Sequence, residues 1–121
     1  SIAVHDVSST HVSTLIAEVF RCSHLVLAAP TYNNGIYPEM LNFLHDMKAL
    51  NLQNRTVALI ENGSWSPVVG EQMRAFLEGL QGMRILEPVI TIRSAPSAKT
   101  LEELEQLSKN LLSSLGTAIR L

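Results

Sequence analysis

Apolar residues along the chain follow two alternating patterns, one typical of buried strands and one typical of helices. Continuous apolar runs at residues 25–29 and 56–60 predict two buried parallel strands. Residues 2–7 predict an earlier strand. Residues 85–92 predict a last strand that Pro88 interrupts, as proline does at sheet edges and bulges.

Between these strands, apolar residues recur every three or four positions, as in helices that bury one face. The first helix is predicted over residues 12–20, after the hydroxyl residues of positions 8–10, which are N-cap candidates. The second begins at Pro38, because proline suits the first helical position, and two more follow at residues 69–80 and 101–111. Alternating strands and helices predict one α/β domain over residues 1–121, with a parallel sheet and right-handed crossovers.

Composition excludes several classes of protein. The formal net charge is -2 and charges of both signs are mixed along the chain, which argues against nucleic-acid binding. No apolar run reaches the length of a membrane span. The single cysteine, Cys22, cannot form an internal disulfide, and this fits a cytoplasmic protein. The four histidines are scattered without the spacing of metal ligands, so no metal site is predicted.

Two loops follow the two most buried strands, at the sheet edge where open α/β folds bind ligands. They cover residues 30–38 and 61–67, and Glu61 is their only charged residue. Loops with so few ionisable side chains are poorly suited to acid–base or nucleophilic catalysis. Tyr32 and Trp65 can stack on a flat ring, and the Asn-Gly turns expose backbone N–H and C=O groups. The two interpretations are a site for a flat heteroaromatic ring and a pair of ordinary turns capped by Trp65.

The run LAAPTYNNGIYP at residues 27–38 resembles the loop after the third strand of the flavodoxin-like, FMN-binding domain of flavodiiron proteins. LIENGSWSP at residues 59–67 resembles that family's loop after the fourth strand, although the family more often has Gly-Trp where this chain has Ser64-Trp65. Asn42-Phe43-Leu44 extends the likeness into the intervening helix. The resemblance implies a flavodoxin-like, three-layer α/β/α fold with an open parallel sheet and four of the usual five strands.

In that family the two loops enclose the isoalloxazine ring of FMN. The resemblance therefore implies cofactor-binding residues in both loops, and it implies no catalytic residue in this chain. These residues are Pro30, Thr31, Tyr32, Asn33, Asn34 and Gly35 in the first loop and Asn62, Gly63, Ser64 and Trp65 in the second.

Family members begin with a strand and a Ser/Thr-rich loop that wraps the FMN phosphate at a helix N-terminus. Residues 8–14 are rich in hydroxyl groups, but the next strand leads into the loop that follows the family's third strand. We therefore interpret residues 2–7 as the second strand and the domain as partial at its N-terminus. The alternative is that residues 2–7 are the first strand and the second is deleted. Our interpretation implies that FMN binds weakly or not at all to this chain alone.

The implied function is electron transfer. FMN would accept electrons from a donor protein and pass them to a metallo-β-lactamase-like diiron domain that reduces O2 or NO. The alternatives are an interaction module that has lost its flavin and a stand-alone FMN-dependent reductase. Without a first helix, one sheet face would be covered only by the last helix, so we expect the chain to self-associate as a homo-oligomer or to pair with another chain.

Overall fold

The computed structural model describes residues 2–32, 35–63, 69–93 and 95–119. This part of the chain forms four helices and five strands. The helices are α1 (Val12–Arg21), α2 (Pro38–Ala49), α3 (Val69–Glu78) and α4 (Ala98–Ile119), and the strands are β1 (His24–Tyr32), β2 (Gly35–Ile36), β3 (Thr56–Asn62), β4 (Arg84–Ile85) and β5 (Ile90–Ile92).

The sheet is centred on β3, which pairs in parallel with β1 on one side and with β4 and β5 on the other. The strand predicted at residues 85–92 is present as β4 and β5, which are separated around a cis Glu87–Pro88 peptide bond. β2 is the antiparallel exception and pairs with the last two residues of β1. The predicted fold class is confirmed: a mostly parallel sheet lies between two layers of helices.

The strand predicted at residues 2–7 is wrong. No strand forms there, and the side chains of Ile2 and Val4 are 93% and 89% exposed. An extended segment becomes a strand only when its N–H and C=O groups pair with a neighbour, and no described strand pairs with this one. The N-cap of α1 is also not one of the hydroxyl candidates, because His11 occupies that position and accepts a hydrogen bond from the Ser13 N–H.

The helices α1, α2 and α3 cover one face of the sheet. Their apolar side chains form the main core with Leu25, Leu27 and Ala29 of β1 and with alternate residues of β3. The opposite face has a smaller core around Leu107 of α4. Val26 points to that face and stays 52% exposed, so β1 is buried on one side only. Its continuous apolar run had predicted burial on both sides. No helix of the described residues is long and apolar enough to cross a membrane.

Candidate functional site

Three strands end together at the carboxyl edge of the sheet. Pro30 of β1 lies opposite Asn62 of β3, and Asn62 lies opposite Ile92 of β5. The N–H of Gly63 donates to the carbonyl of Ile92 over 3.0 Å, which extends the hydrogen bonding of the sheet one residue beyond β3. The two loops named by the sequence therefore begin side by side.

The first loop is shorter than the sequence predicted. Residues 30–32 continue β1, and Gly35 turns back as the first residue of β2, opposite Tyr32. Asn62 is the last residue of β3, and Gly63 follows it. The structure thus brings together Pro30, Thr31, Gly35, Asn62, Gly63 and the backbone of Tyr32. The remaining predicted residues, Asn33, Asn34, Ser64 and Trp65, lie outside the described residues. The predicted stacking of Tyr32 and Trp65 on a flat ring stays a prediction.

Thr31 carries a buried polar atom at this edge. Its hydroxyl oxygen is shielded from solvent and has no hydrogen-bond partner among the described residues. Leaving such a group unsatisfied typically costs about 1–3 kcal/mol, so native proteins rarely keep one without a reason. The Thr31 hydroxyl is therefore a polar group at this edge with hydrogen-bonding capacity that the described residues do not use.

Glu61, the first residue of the second predicted loop, belongs to β3 and is only 4% exposed. Its carboxylate accepts hydrogen bonds from the Gly70 N–H, at 2.6 Å, and from the Thr91 hydroxyl, at 2.8 Å. Gly70 is in the first turn of α3, where the helix dipole favours a negative charge. Glu61 therefore ties β3 to β5 and to α3 immediately beneath the predicted ring site.

Gly70 and Thr91 were not singled out from the sequence. A Cβ on residue 70 would lie 3.0 Å from Cδ of Glu61 and 3.1 Å from Cγ1 of Val89, so the carboxylate needs glycine at this position. The sequence did indicate that Glu61 has such partners, since a carboxylate at the end of an apolar strand must accept hydrogen bonds from buried donors. Their identity depended on contacts between residues far apart in the sequence.

The segment before α1 carries one acidic side chain, Asp6. The backbone N–H and the hydroxyl of Ser8 both donate to Oδ1 of Asp6, at 2.9 and 2.7 Å. These bonds lower the pKa of the Asp6 carboxyl, which keeps it charged. Burial, with smaller contributions from Asp6 and Glu39, raises the pKa of Tyr37, so the phenol stays neutral. Negative charge next to Ser8 opposes the binding of a phosphate there.

A cleft of about 460 Å³ lies between α2 and the start of α1 with the segment before it, and none of the predicted ring-binding residues lines it. Among the described residues, no group of three or more His, Cys, Asp and Glu side chains could hold a metal ion.

Comparison with known proteins bears directly on this site. No protein-family model matches the chain. Its sequence is 26% identical over 107 residues to rubredoxin-oxygen oxidoreductase of Megalodesulfovibrio gigas, a match over 87% of this chain and 26% of that protein. A solved structure of rubredoxin oxygen:oxidoreductase from Desulfovibrio gigas superposes with a TM-score of 0.85 at 21% identity, covering 93% of this chain and 28% of the other. A flavodiiron core from Synechocystis sp. PCC6803 superposes with a TM-score of 0.79 at 13% identity, over 93% and 28% of the two chains.

This chain resembles the flavodoxin-like domain of flavodiiron proteins. An archaeal flavodoxin also superposes, with a TM-score of 0.75 at 18% identity, over 91% of this chain and 74% of that flavodoxin. The predicted flavodoxin-like fold is confirmed. The chain spans only 26% of the length of the rubredoxin-oxygen oxidoreductase that it matches in sequence.

Proposed function

We propose that this flavodoxin-like chain is an FMN-based electron-transfer module of the flavodiiron type. The carrying observation is the buried Thr31 hydroxyl, which has no partner in the described part of the chain and lies where the starts of the two loops meet. A polar atom left free at a ligand-binding edge of an α/β sheet suits the polar rim of a flat heteroaromatic ring. The similarity to a rubredoxin-oxygen oxidoreductase supports a redox role.

FMN would supply the electron-carrying chemistry, and this chain would bind and orient its ring. The Thr31 hydroxyl would hydrogen-bond a ring edge from the β1 side. Asn62 and Gly63 would contact the ring from the β3 side, where their backbone is held by the bond to Ile92. Glu61 would keep the start of that loop in place through Gly70 and Thr91 without touching the ring.

The proposed partners follow from the similar proteins. The name of that relative couples rubredoxin to oxygen. We propose that this module takes electrons from a rubredoxin-type or reductase donor and delivers them to a metallo-β-lactamase-like diiron domain or partner that reduces O2 or NO.

A second candidate function is an interaction module that does not hold FMN. The observation in its favour is the Asp6–Ser8 pair, because it puts a negative charge beside residues 8–14, the hydroxyl-rich stretch considered for the phosphate. Each charge-assisted hydrogen bond to a phosphate is worth about 1.5–3 kcal/mol, and several would be missing. FMN is therefore expected to bind weakly to this chain alone.

Parallel titrations with FMN and riboflavin separate these functions. Both flavins carry the same ring, and only FMN carries a phosphate, so a chain with a ring site alone should quench the two fluorescence signals with similar, micromolar dissociation constants. A sub-micromolar constant for FMN with at least about tenfold preference over riboflavin would mean that residues 8–14 serve as a phosphate loop. Absence of quenching by either flavin supports the interaction module.

Thr31→Val sharpens the result because valine replaces the hydroxyl with a methyl group of similar size. We expect flavin binding to weaken by about three- to tenfold, the worth of one hydrogen bond, while the free protein becomes no less stable. Thr56→Val, at the opposite end of β3, is the matched control and should leave binding unchanged. Equal effects of the two variants would remove Thr31 from the ring site.

A further inference from the structure

Three parallel strands begin at the amino edge of the sheet, opposite the edge where the two loops start. His24 is the first residue of β1, Thr56 of β3 and Arg84 of β4. Thr56 lies directly opposite both His24 and Arg84 in the register of the sheet. Paired residues of parallel strands point to the same face, so an imidazole, a hydroxyl and a guanidinium form one row across this edge.

The second half of α4 lies over this row. The hydroxyl of Ser114 is 2.9 Å from Nε2 of His24, which shows to which face of the sheet the row points. A pocket of about 410 Å³ lies between α4 and the segment that begins with β4, and its lining includes Arg84, Asn110, Ser113 and Ser114. Small-molecule sites have volumes of about 300–1,000 Å³, so this pocket is large enough for a small ligand.

Hydrogen bonds and apolar packing hold the two walls of the pocket together. The side-chain amide of Asn110 donates to the Glu87 carbonyl over 2.6 Å, and its oxygen accepts from Gln106 over 3.0 Å. Leu86, next to Glu87, and Leu107 of α4 belong to the same apolar cluster. A ligand therefore meets walls that are already in place, and binding requires little further ordering.

Positive charge dominates in this pocket. Arg84 forms an ion pair with none of the carboxylates in the described ranges. Glu87 also lines the pocket, but its carboxylate is paired with Arg74. Burial and, to a smaller extent, the charge of Arg84 lower the pKa of His24, so the two groups are close enough to repel each other when both are charged. An anion between them would remove this repulsion.

Serine hydroxyls add neutral donors next to the charge. When Nε2 of His24 donates to the Ser114 oxygen, the hydrogen of that hydroxyl is left to bond to another acceptor. Ser114 lies five residues before Ile119, the last residue of α4, and so outside the turn in which the helix dipole opposes an anion. A guanidinium and hydroxyls around one pocket suit an anion with several acceptor oxygens.

We propose that this pocket binds a phosphate group, as the free ion or as a phosphate monoester. The Arg84 guanidinium donates to two of its oxygens, and the hydroxyls of Ser113 and Ser114 donate to the others. This site is separate from the candidate flavin site, because Thr56 and Asn62 at the two ends of β3 are about 20 Å apart at about 3.3 Å per residue. The proposal therefore holds whether or not the chain binds FMN.

The test titrates the full 121-residue chain with inorganic phosphate and with glycerol 3-phosphate, at an ionic strength held constant with chloride. In amide NMR spectra we expect saturable shifts at residues 84–87 and 110–114, with a dissociation constant of about 1 mM or lower, and none at residues 30–32 or 61–63. The pKa of His24, read from its ring signals, should rise in the bound state because the ligand offsets the charge of Arg84. Tighter binding of the ester assigns the site to a monoester, and equal or weaker binding of the ester assigns it to free phosphate.

Arg84→Met removes the charge and keeps an apolar stem, and it should weaken phosphate binding by about tenfold or more. Arg84→Lys keeps the charge without the paired donors and should lose less. Arg93→Met makes the same change at an exposed arginine after β5, at the opposite edge of the sheet, and should leave binding unchanged. Circular dichroism confirms that the three variants fold.

Four results would overturn the proposal. Chloride alone could reproduce the shifts, or the shifts could fall on residues 8–14 instead of the pocket. Arg84→Met and Arg93→Met could weaken binding equally. Finally, the pocket residues could show no shift at about 10 mM phosphate, a concentration well above the expected dissociation constant.

Discussion

The two faces of the sheet are built from the same kind of strand residue and differ in what covers them. On the face of Leu25 and Leu27, three helices pack closely enough that Leu44 and Met47 of α2 are completely inaccessible to water. On the face of Val26, α4 is the only helix among the described residues. Neighbouring residues of one strand thus differ from fully packed to half exposed. Coverage by helices, and not residue type, sets how much each apolar side chain stabilises this fold.

The largest effect is expected on the covered face. Leu44→Ala should lower the free energy of unfolding by about 2–5 kcal/mol, because the side chain is fully buried and its removal leaves a cavity. Urea denaturation followed by circular dichroism measures this loss. A loss below about 1 kcal/mol would show that α2 is packed loosely and that the two faces are alike.

The next effect concerns the junction between β3, β5 and α3. Glu61→Leu removes the acceptor of the Gly70 N–H and the Thr91 hydroxyl, so the free energy of unfolding should fall by about 1–3 kcal/mol. Glu61→Gln is the matched variant and should lose less, since its amide oxygen still accepts one bond. If both variants denature at the same urea concentration as the original chain, the carboxylate is not a structural link.

A much smaller effect is expected on the open face. Leu112→Ala should change the free energy of unfolding by no more than about 0.5 kcal/mol, because the side chain contacts mainly water. The same urea experiment, run beside Leu44→Ala, gives the contrast between the faces directly. A loss as large as that of Leu44→Ala in dilute protein would mean that this face is already covered in solution.

The smallest effect is a pH dependence at the edge of the open face. Burial, assisted by the charge of Arg84, lowers the pKa of His24 below its ordinary value in the folded chain. Near pH 6 the unfolded chain therefore binds more protons at His24 than the folded chain does. As the pH falls from the pKa of His24 in the unfolded chain to its lower pKa in the folded chain, the folded state loses stability. The difference in unfolding free energy between the original chain and His24→Gln should shift in favour of the variant between pH 7 and pH 5. A difference that stays constant with pH would contradict this assignment.

Much of the fold could be predicted because it depends on neighbouring residues. The apolar run at residues 56–60 predicted β3, and the strand forms with two more residues at its end. Pro38 predicted the start of α2, where it occupies the first helical position. In both elements the local pattern and the final packing agree, since β3 is covered by helices on both faces and α2 needs only one apolar side.

Other features depend on partners that a local pattern does not contain. Residues 2–7 have the composition of a strand, yet they form none because no described strand pairs with them. Val26 belongs to a run typical of buried strands and remains exposed, because the apolar cluster on that side, around Leu107 of α4, contains no residue of β1. The link from Glu61 to Gly70 and Thr91 joins three elements, and only the assembled sheet brings them together. At the candidate site, the sequence placed the start of both loops too early, because residues 30–32 and 61–62 still belong to β1 and β3. It also could not show that the Thr31 hydroxyl has no partner among the described residues.

The bond from the Gly63 N–H to the Ile92 carbonyl also bears on how strongly this edge can hold any small molecule. Fixing the backbone of one residue costs about 1–2 kcal/mol of conformational entropy. For Asn62 and Gly63 that entropy is already lost when β3 and β5 come together. A small molecule arriving at this edge therefore meets two residues that need no further ordering, and its contacts with them contribute to affinity without that loss.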